Sequence, residues 1–347
     1  MDAFFAAVEI REHPEYRGKP IIVGGSPKSR GVVSTCSYEA RKYGIHSAMA
    51  SSLAAKLCPK AIFVRPHFEL YKQASEKIRK IFAEFTNIIE PVSIDEAYLD
   101  VTKNKKNMVS ATNIAKLIKT KIYQKTKLTA SAGVSYNKFL AKIASDLDKP
   151  DGLVVITPER ALRVLKKLPI GQFYGIGKVT EKKMKNLGIY HGKDLLKWSK
   201  MELVKHFGKA GNYFYNVVRG KDERPVQTTY KRKSLGKERT FSHDIKDINL
   251  MKKFLEELSG QISEKLIEKN IKGKTITLKI KYSDFTLKTR SLTVNEYLQK
   301  QKDIYYFASN LLDKNLIPGK KIRLLGISIS NLFQNQNTED DQLVFPL

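Results

Sequence analysis

Two adjacent carboxylates, Asp95 and Glu96, stand between two short apolar runs, with Val92 and Ile94 before them and Tyr98, Leu99 and Val101 after. Carboxylates this close repel each other unless a cation lies between them, and hard oxygen donors suit Mg2+. Consecutive residues of a flat strand point to opposite faces, so the pair can share an ion only where the chain turns. The run is too short and too β-branched for a helix, which predicts a hairpin with both carboxylates at its bend. An acidic pair solvated at an ordinary turn has the same pattern, and both readings stay open on spacing alone. Tyr38, Arg41 and Lys42 lie together in the stretch ending at Gly44 and could grip a phosphate, although a solvated basic helix face is the commoner origin of such a pattern. Gly175-Ile176-Gly177-Lys178 opens a lysine-rich segment, where outward backbone N–H groups at a helix N-terminus would accommodate a phosphate.

Elements must position these groups. Pro20–Gly25 and Arg30–Thr35 read as buried strands joined by a Gly/Ser/Pro turn, followed by a short helix from Tyr38 with Gly44 as its C-cap. Leu70, Tyr71, Ala74, Ile78, Ile81, Phe82 and Phe85 recur at helical spacing, which predicts a helix over 68–85 that packs on the acidic hairpin. A helix over 110–125, a strand over 128–134 and a helix over 139–144 complete an α+β sheet domain. Residues 158–223 are helical only, and their centre runs through Gly175 and Gly177 to Leu187-Gly188-Ile189. Residues 221–233 read as a basic tether. Beyond it come a strand near 236–241, a helix over 251–269, a strand over 275–282 with Thr275, Thr277, Lys279 and Lys281 outward, a helix over 305–314 and a strand over 322–329, a second α+β unit. The polar tail ends in Gln342-Leu343-Val344-Phe345-Pro346-Leu347, whose large apolar residues imply a use.

The chain has 347 residues, 63 Lys and Arg against 35 Asp and Glu, and a formal net charge of +28. Each of the segments 1–157, 158–230 and 231–335 carries a surplus of ten or eleven positive charges, so a long footprint on nucleic acid is expected in place of one basic arm. No stretch approaches the roughly 18 apolar residues of a membrane-spanning helix. Two cysteines, Cys36 and Cys58, lack metal-type spacing and suit a reducing cytoplasm, and the opening residues carry no basic leader of a signal peptide. At this length more than one core is expected.

Taken together, the motifs resemble those of the Y-family translesion DNA polymerases, in the family's order and over essentially the whole chain. They are Asp2 to Glu9, Tyr38 to Gly44, Ser93 to Asp100, Lys138 to Ser145, Asp148 to Gly152, the hairpin at Gly175 and the terminal hexapeptide from Gln342. The resemblance implies an α+β, multidomain right-hand polymerase. Its palm would comprise residues 1–10 and 66–157, its fingers 11–65, its helix-hairpin-helix thumb 158–223, a linker 224–232, an α+β little finger 233–332, and a disordered tail 333–347. It further implies Asp95 as a ligand of two Mg2+ ions, Glu96 as the catalytic carboxylate beside it, and Phe5 as a steric gate against a 2′-hydroxyl. Tyr38, Arg41 and Lys149 would hold the triphosphate, and Gly175, Gly177 and Lys178 the DNA backbone. Gln342, Leu343, Phe345 and Leu347 would dock on a bacterial sliding clamp. Primer-template DNA and deoxynucleoside triphosphates would be the substrates, and the protein a monomer.

One departure stands out. The family's first palm strand ends in a metal-ligand Asp two positions ahead of the residue that aligns with Asp2, a position upstream of Met1. The expectation from the residues given is therefore a site short of one strand and one carboxylate, with weak extension. A catalytically silent DNA- and clamp-binding protein is the alternative, although retention of Asp95, Glu96, Phe5, Tyr38, Arg41 and Lys149 favours the polymerase.

Overall fold

The computed structural model describes residues 1–229 and 231–334, with the side chain of residue 334 left aside. The chain divides into two compact units between Thr228 and Thr229.

In the first unit, helix α1 (Phe4–Glu12) buries Phe4, Ala6, Val8 and Glu9. A small sheet follows, built from β1 (Ile21–Gly24), β2 (Val33–Cys36) and, after the one-turn helix α2 (Tyr38–Arg41) and α3 (Ser51–Leu57), β3 (Ile62–Val64). The order is β2-β1-β3, antiparallel on one side and parallel on the other, and every residue of β1 is buried, as a central strand covered on both faces requires. The predicted helix from Tyr38 stops after four residues; Gly44 then takes a φ of +77° and its N–H donates to the Arg41 carbonyl.

Helix α4 (Phe68–Ala83) buries Tyr71, Ala74, Ser75, Ile78 and Ile81, the stripe its spacing predicts. Strands β4 (Ile89–Pro91) and β5 (Ala97–Leu99) pair antiparallel, with Glu90 opposite Tyr98, so the predicted hairpin is present and turns through Val92–Glu96. Helix α5 (Ala111–Thr126) starts on Ser110, whose hydroxyl accepts from the Asn113 N–H at 3.3 Å. Strand β6 (Ala132–Ser135) begins later than the expected residue 128, though Leu128 and Ala130 remain buried in the core. Helix α6 (Lys138–Leu147), capped by Asn137, joins it to a parallel partner, β7 (Leu153–Ile156). Residues 1 and 2 run beside both strand pairs: the Met1 nitrogen donates to the Asp95 carbonyl at 2.9 Å and the Asp2 N–H to the Thr129 carbonyl at 3.2 Å.

Residues 158–217 hold α7 (Pro158–Lys167), α8 (Lys178–Asn186), α9 (Gly192–Leu195), α10 (Lys200–Phe207) and α11 (Lys209–Val217) around Leu165, Phe173, Met184, Leu203 and Phe214. The helix ahead of Gly175 in the hairpin motif is only a 3₁₀ turn, Ile170–Gln172, and the chain leaves helical geometry by Gly175, whose φ is +93°. The basic tether is anchored where it leaves this unit. Asp222 accepts from the Phe139 N–H at 3.1 Å, Arg224 grips Asp222 with two bonds, and the Gln227 N–H donates to Glu90 at 2.7 Å.

The second unit contains β8 (Ser234–Ile245), α12 (Ile248–Glu268), β9 (Ile271–Tyr282), β10 (Leu287–Leu298), α13 (Gln301–Asn315) and β11 (Ile322–Gln334). Its antiparallel sheet runs β10-β9-β11-β8, and Ile276, Leu278, Ile280 and Tyr282 turn inward against Leu255, Ile262, Ile304 and Leu312 of the two helices. On the other face Thr275 meets Thr293 at 2.9 Å, Thr277 meets Ser291 at 2.8 Å, and Lys279 pairs with Glu238 at 2.6 Å. Strand β10 was not anticipated. It is an edge strand, nearly all exposed, so its sequence lacks the apolar alternation that marked β9. Strand β11 also corrects the expected tail, since it continues to Gln334 where disorder was expected from residue 333.

Candidate active site

The bend between β4 and β5 holds Asp95 and Glu96 half-buried, with side chains 24% and 31% exposed. The Val92 and Ser93 N–H groups close it on the Glu96 carbonyl at 2.9 and 3.2 Å, and the Ser75 hydroxyl of α4 donates to the Ile94 carbonyl. Ser93 fixes one carboxylate directly: its hydroxyl donates to Asp95 Oδ1 at 2.7 Å. Glu96 also faces a cation, the Lys142 ammonium 3.1 Å from its Oε1.

Lys142 is the unexpected centre of the site. From α6 it reaches Asp146 Oδ2 at 2.8 Å as well as Glu96, and Asp146 Oδ1 in turn accepts Lys149 at 2.9 Å. Burial works to lower the Lys142 pKa, but Asp146 and Glu96 outweigh it and hold the amine above its usual value. Burial likewise works to raise Asp146, and the two lysines outweigh it, holding that carboxyl below its usual range. Thus the predicted catalytic carboxylate and the predicted triphosphate lysine are joined by one chain of ion pairs. Neither Lys142 nor Asp146 was singled out from sequence, where an (i, i+4) Lys–Asp pair on a helix reads as surface decoration.

Tyr38 opens α2 behind the Ser37 cap, and the Arg41 guanidinium lies 4.6 Å from its ring centroid. Its hydroxyl is buried without a hydrogen-bond partner among the described residues. Burial raises its pKa, with the charges of Asp2 and Asp146 adding to the rise and Arg41 opposing it. A buried hydroxyl left unpaired costs about 1–3 kcal/mol, a debt that a ligand oxygen would relieve. Phe5 sits on α1 with its ring stacked on Tyr71, centroids 4.1 Å apart and planes 10° from parallel. Tyr71 is held from behind by the fully buried Glu9, which accepts from its hydroxyl and lies 3.0 Å from His67 Nδ1. Asp2 is spent internally: it accepts from the Ser131 hydroxyl at 2.6 Å and the Asp151 N–H at 2.9 Å, tying down the loop that follows Lys149.

The helix-hairpin-helix residues Gly175, Gly177 and Lys178 are all exposed, anchored by the buried Ile176 between the glycines. Only Gly175 needs glycine's backbone, with φ +93° and a Cβ that would stand 3.2 Å from the Tyr213 ring; Gly177 caps α8 at φ −82° in open space. Between this hairpin and α6 lies a cleft of about 550 Å³, lined by Lys142 and Asp146 on one wall and Gly171, Tyr174 and Gly175 on the other. Gln342, Leu343, Phe345 and Leu347 lie outside the described residues.

Asp95 and Glu96 fit a divalent cation in donor chemistry, both being hard oxygen ligands held at one bend. They fit as part of a set, because among the described residues no three His, Cys, Asp or Glu side chains cluster in a metal-holding arrangement. Among the described residues no helix is long and apolar enough to cross a membrane.

Comparison with known proteins follows these features. Residues 1–146 match the impB/mucB/samB family, residues 232–343 its C-terminal domain, and residues 158–189 the helix-hairpin-helix motif of the same family. The chain is 52% identical over 346 residues to a DNA polymerase IV of Clostridium perfringens, covering 99% of this chain and 96% of the relative. It is 53% identical to a DNA polymerase IV of Clostridioides difficile, covering 99% and 95%. Among solved structures, a Y-family DNA polymerase chimera of Dbh and Dpo4 superposes with a TM-score of 0.87 at 32% identity, covering 96% of this chain and 98% of the chimera.

Proposed function

The chain belongs to the impB/mucB/samB family of Y-family DNA polymerases, and on that premise we propose which of its residues carry the synthesis of DNA. It is a DNA-directed DNA polymerase of the translesion type, α+β and multidomain, with palm, fingers, thumb and little finger. We assign residues 1–10 and 66–157 to the palm, 11–65 to the fingers, 158–223 to the thumb and 233–332 to the little finger. Its substrates are DNA and nucleotides; deoxynucleoside triphosphates on a primer-template are the proposed pair. A monomer in the cytoplasm and a tether to a sliding clamp through Gln342–Leu347 complete the proposal.

Family membership implies a divalent cation, and we propose Mg2+, two ions per site, with Asp95 and Glu96 among the ligands. Bound there, the metal would neutralise charge on the attacking and leaving oxygens. The chain's own residues position everything else. Arg41 and Lys149 meet the triphosphate as fixed and mobile cations, and the unpaired Tyr38 hydroxyl donates to one of its oxygens. Phe5, locked against Tyr71, blocks the space a 2′-hydroxyl needs. Gly175, Gly177 and Lys178 present N–H groups and an ammonium to the duplex backbone. One observation carries this reading: Glu96 and Lys149, 53 residues apart in sequence, share a single ion-pair chain through Lys142 and Asp146.

Primer extension with Mg2+, run on the longest reading frame that contains these residues, tests the function. Template-directed addition on undamaged and lesion-bearing templates is the expected result. Tight primer-template binding with no extension under any divalent cation would favour the silent scaffold and overturn the proposal.

A further inference from the structure

Lys142 and Asp146 face the cleft and link Glu96 to Lys149, and the pattern of their bonds is specific. The Lys142 side chain is 14% exposed and divides its ammonium between Glu96 and Asp146, while Asp146 divides its two oxygens between Lys142 and Lys149. Each inner member therefore serves two partners, and strengthening one bond weakens its claim on the other. We propose that Asp146 is a positioning residue which, shared between Lys142 and Lys149, couples the grip on the incoming triphosphate to the freedom of Glu96.

A triphosphate draws Lys149 off Asp146, because its oxygens carry more charge than one carboxylate and offer the same donor a better acceptor. Asp146 is then left to Lys142 alone and attracts that ammonium away from Glu96. Glu96 is released from its cation only when a nucleotide is in place, so the carboxylate is withheld from an empty site. Placement supports the coupling: Lys142 and Asp146 are one helical turn apart on α6, Lys149 follows within three residues, and Asp2 pins the adjacent loop through the Asp151 N–H at 2.9 Å. The inference rests on the roles proposed for Glu96 and Lys149.

Nucleotide affinity measured on a primer-template ending in a 3′-dideoxynucleotide, where no bond can form, reads the coupling without the reaction. Asp146→Asn, nearly isosteric, frees Lys149 for the phosphates and is expected to tighten nucleotide binding about fivefold, while single-turnover extension slows because Lys142 now belongs wholly to Glu96. Lys142→Met leaves Asp146 entirely to Lys149 and is expected to weaken binding by a similar factor; Lys142→Arg restores it. In a Lys149→Met background the tightening by Asp146→Asn disappears. If the tightening persists in that background, Asp146 acts on the phosphates directly and the coupling is wrong. If Asp146→Asn and Lys142→Met shift affinity in the same direction, both residues merely support the fold and the coupling is again wrong. An affinity unchanged by Lys149→Met alone would overturn the reading of Lys149 itself, a failure separable from that of the coupling.

Discussion

At the scale of single residues the site is a set of side chains held before any substrate arrives. Phe5 is held by stacking on Tyr71, which Glu9 holds in turn, a support that suits the gate role proposed for it. Phe5→Val is expected to raise ribonucleotide incorporation at least tenfold, a discrimination of about 1.4 kcal/mol, with deoxynucleotide use largely kept. Unchanged discrimination, read by competition between the two sugars, would remove Phe5 from this role. Tyr38 gives the opposite kind of test. Its hydroxyl is buried without a partner, so Tyr38→Phe should leave the melting temperature unchanged or raise it, while KM for the nucleotide rises about fivefold. A fall in stability with KM unaltered would mean that the hydroxyl serves the fold.

At the scale of elements, the hairpin at Gly175 separates strain from access. Gly175→Ala forces a side chain into φ +93° and against Tyr213, so thermal unfolding should show a loss of about 1–2 kcal/mol. Gly177→Ala meets open space at an ordinary φ and loses only the better N-cap of α8, about 0.5–1 kcal/mol, while weakening DNA binding if that amide face lies on a phosphate. The bend at Asp95 and Glu96 was legible in the sequence because apolar alternation stops at the acidic pair and resumes after it. Helix α4 was legible through its buried stripe at helical spacing. Strand β10 was not, because an edge strand with one face to solvent carries no such stripe. The Lys142–Asp146 link was hidden for another reason: its meaning comes from Glu96 and Lys149, which lie beyond the helix that carries it. Tyr38 and Arg41 were visible as a basic aromatic cluster, but the orphaned hydroxyl exists only once α2 is packed.

At the scale of the whole molecule, a net charge of +28 leads us to expect backbone neutralisation as the main source of affinity for DNA. Binding to primer-template is expected to fall about 10³-fold between 50 and 200 mM salt, and Lys178→Ala to reduce the slope of log K against log salt by about 0.9. A slope near zero would exclude an electrostatic footprint. The terminal Gln342–Leu347 segment should act apart from this footprint. Its deletion is expected to abolish stimulation by a sliding clamp and to spare extension of short templates, and stimulation that survives would dismiss the tether. On the proposed reading the bend at Asp95 and Glu96 carries the chemistry and the basic surface the binding. Single-turnover extension by Glu96→Gln, measured beside its affinity for primer-template, tests that most directly. Affinity within twofold of the parent and a rate lower by about three orders of magnitude, or about 4 kcal/mol, is the predicted result, whereas a rate within tenfold of the parent would contradict it.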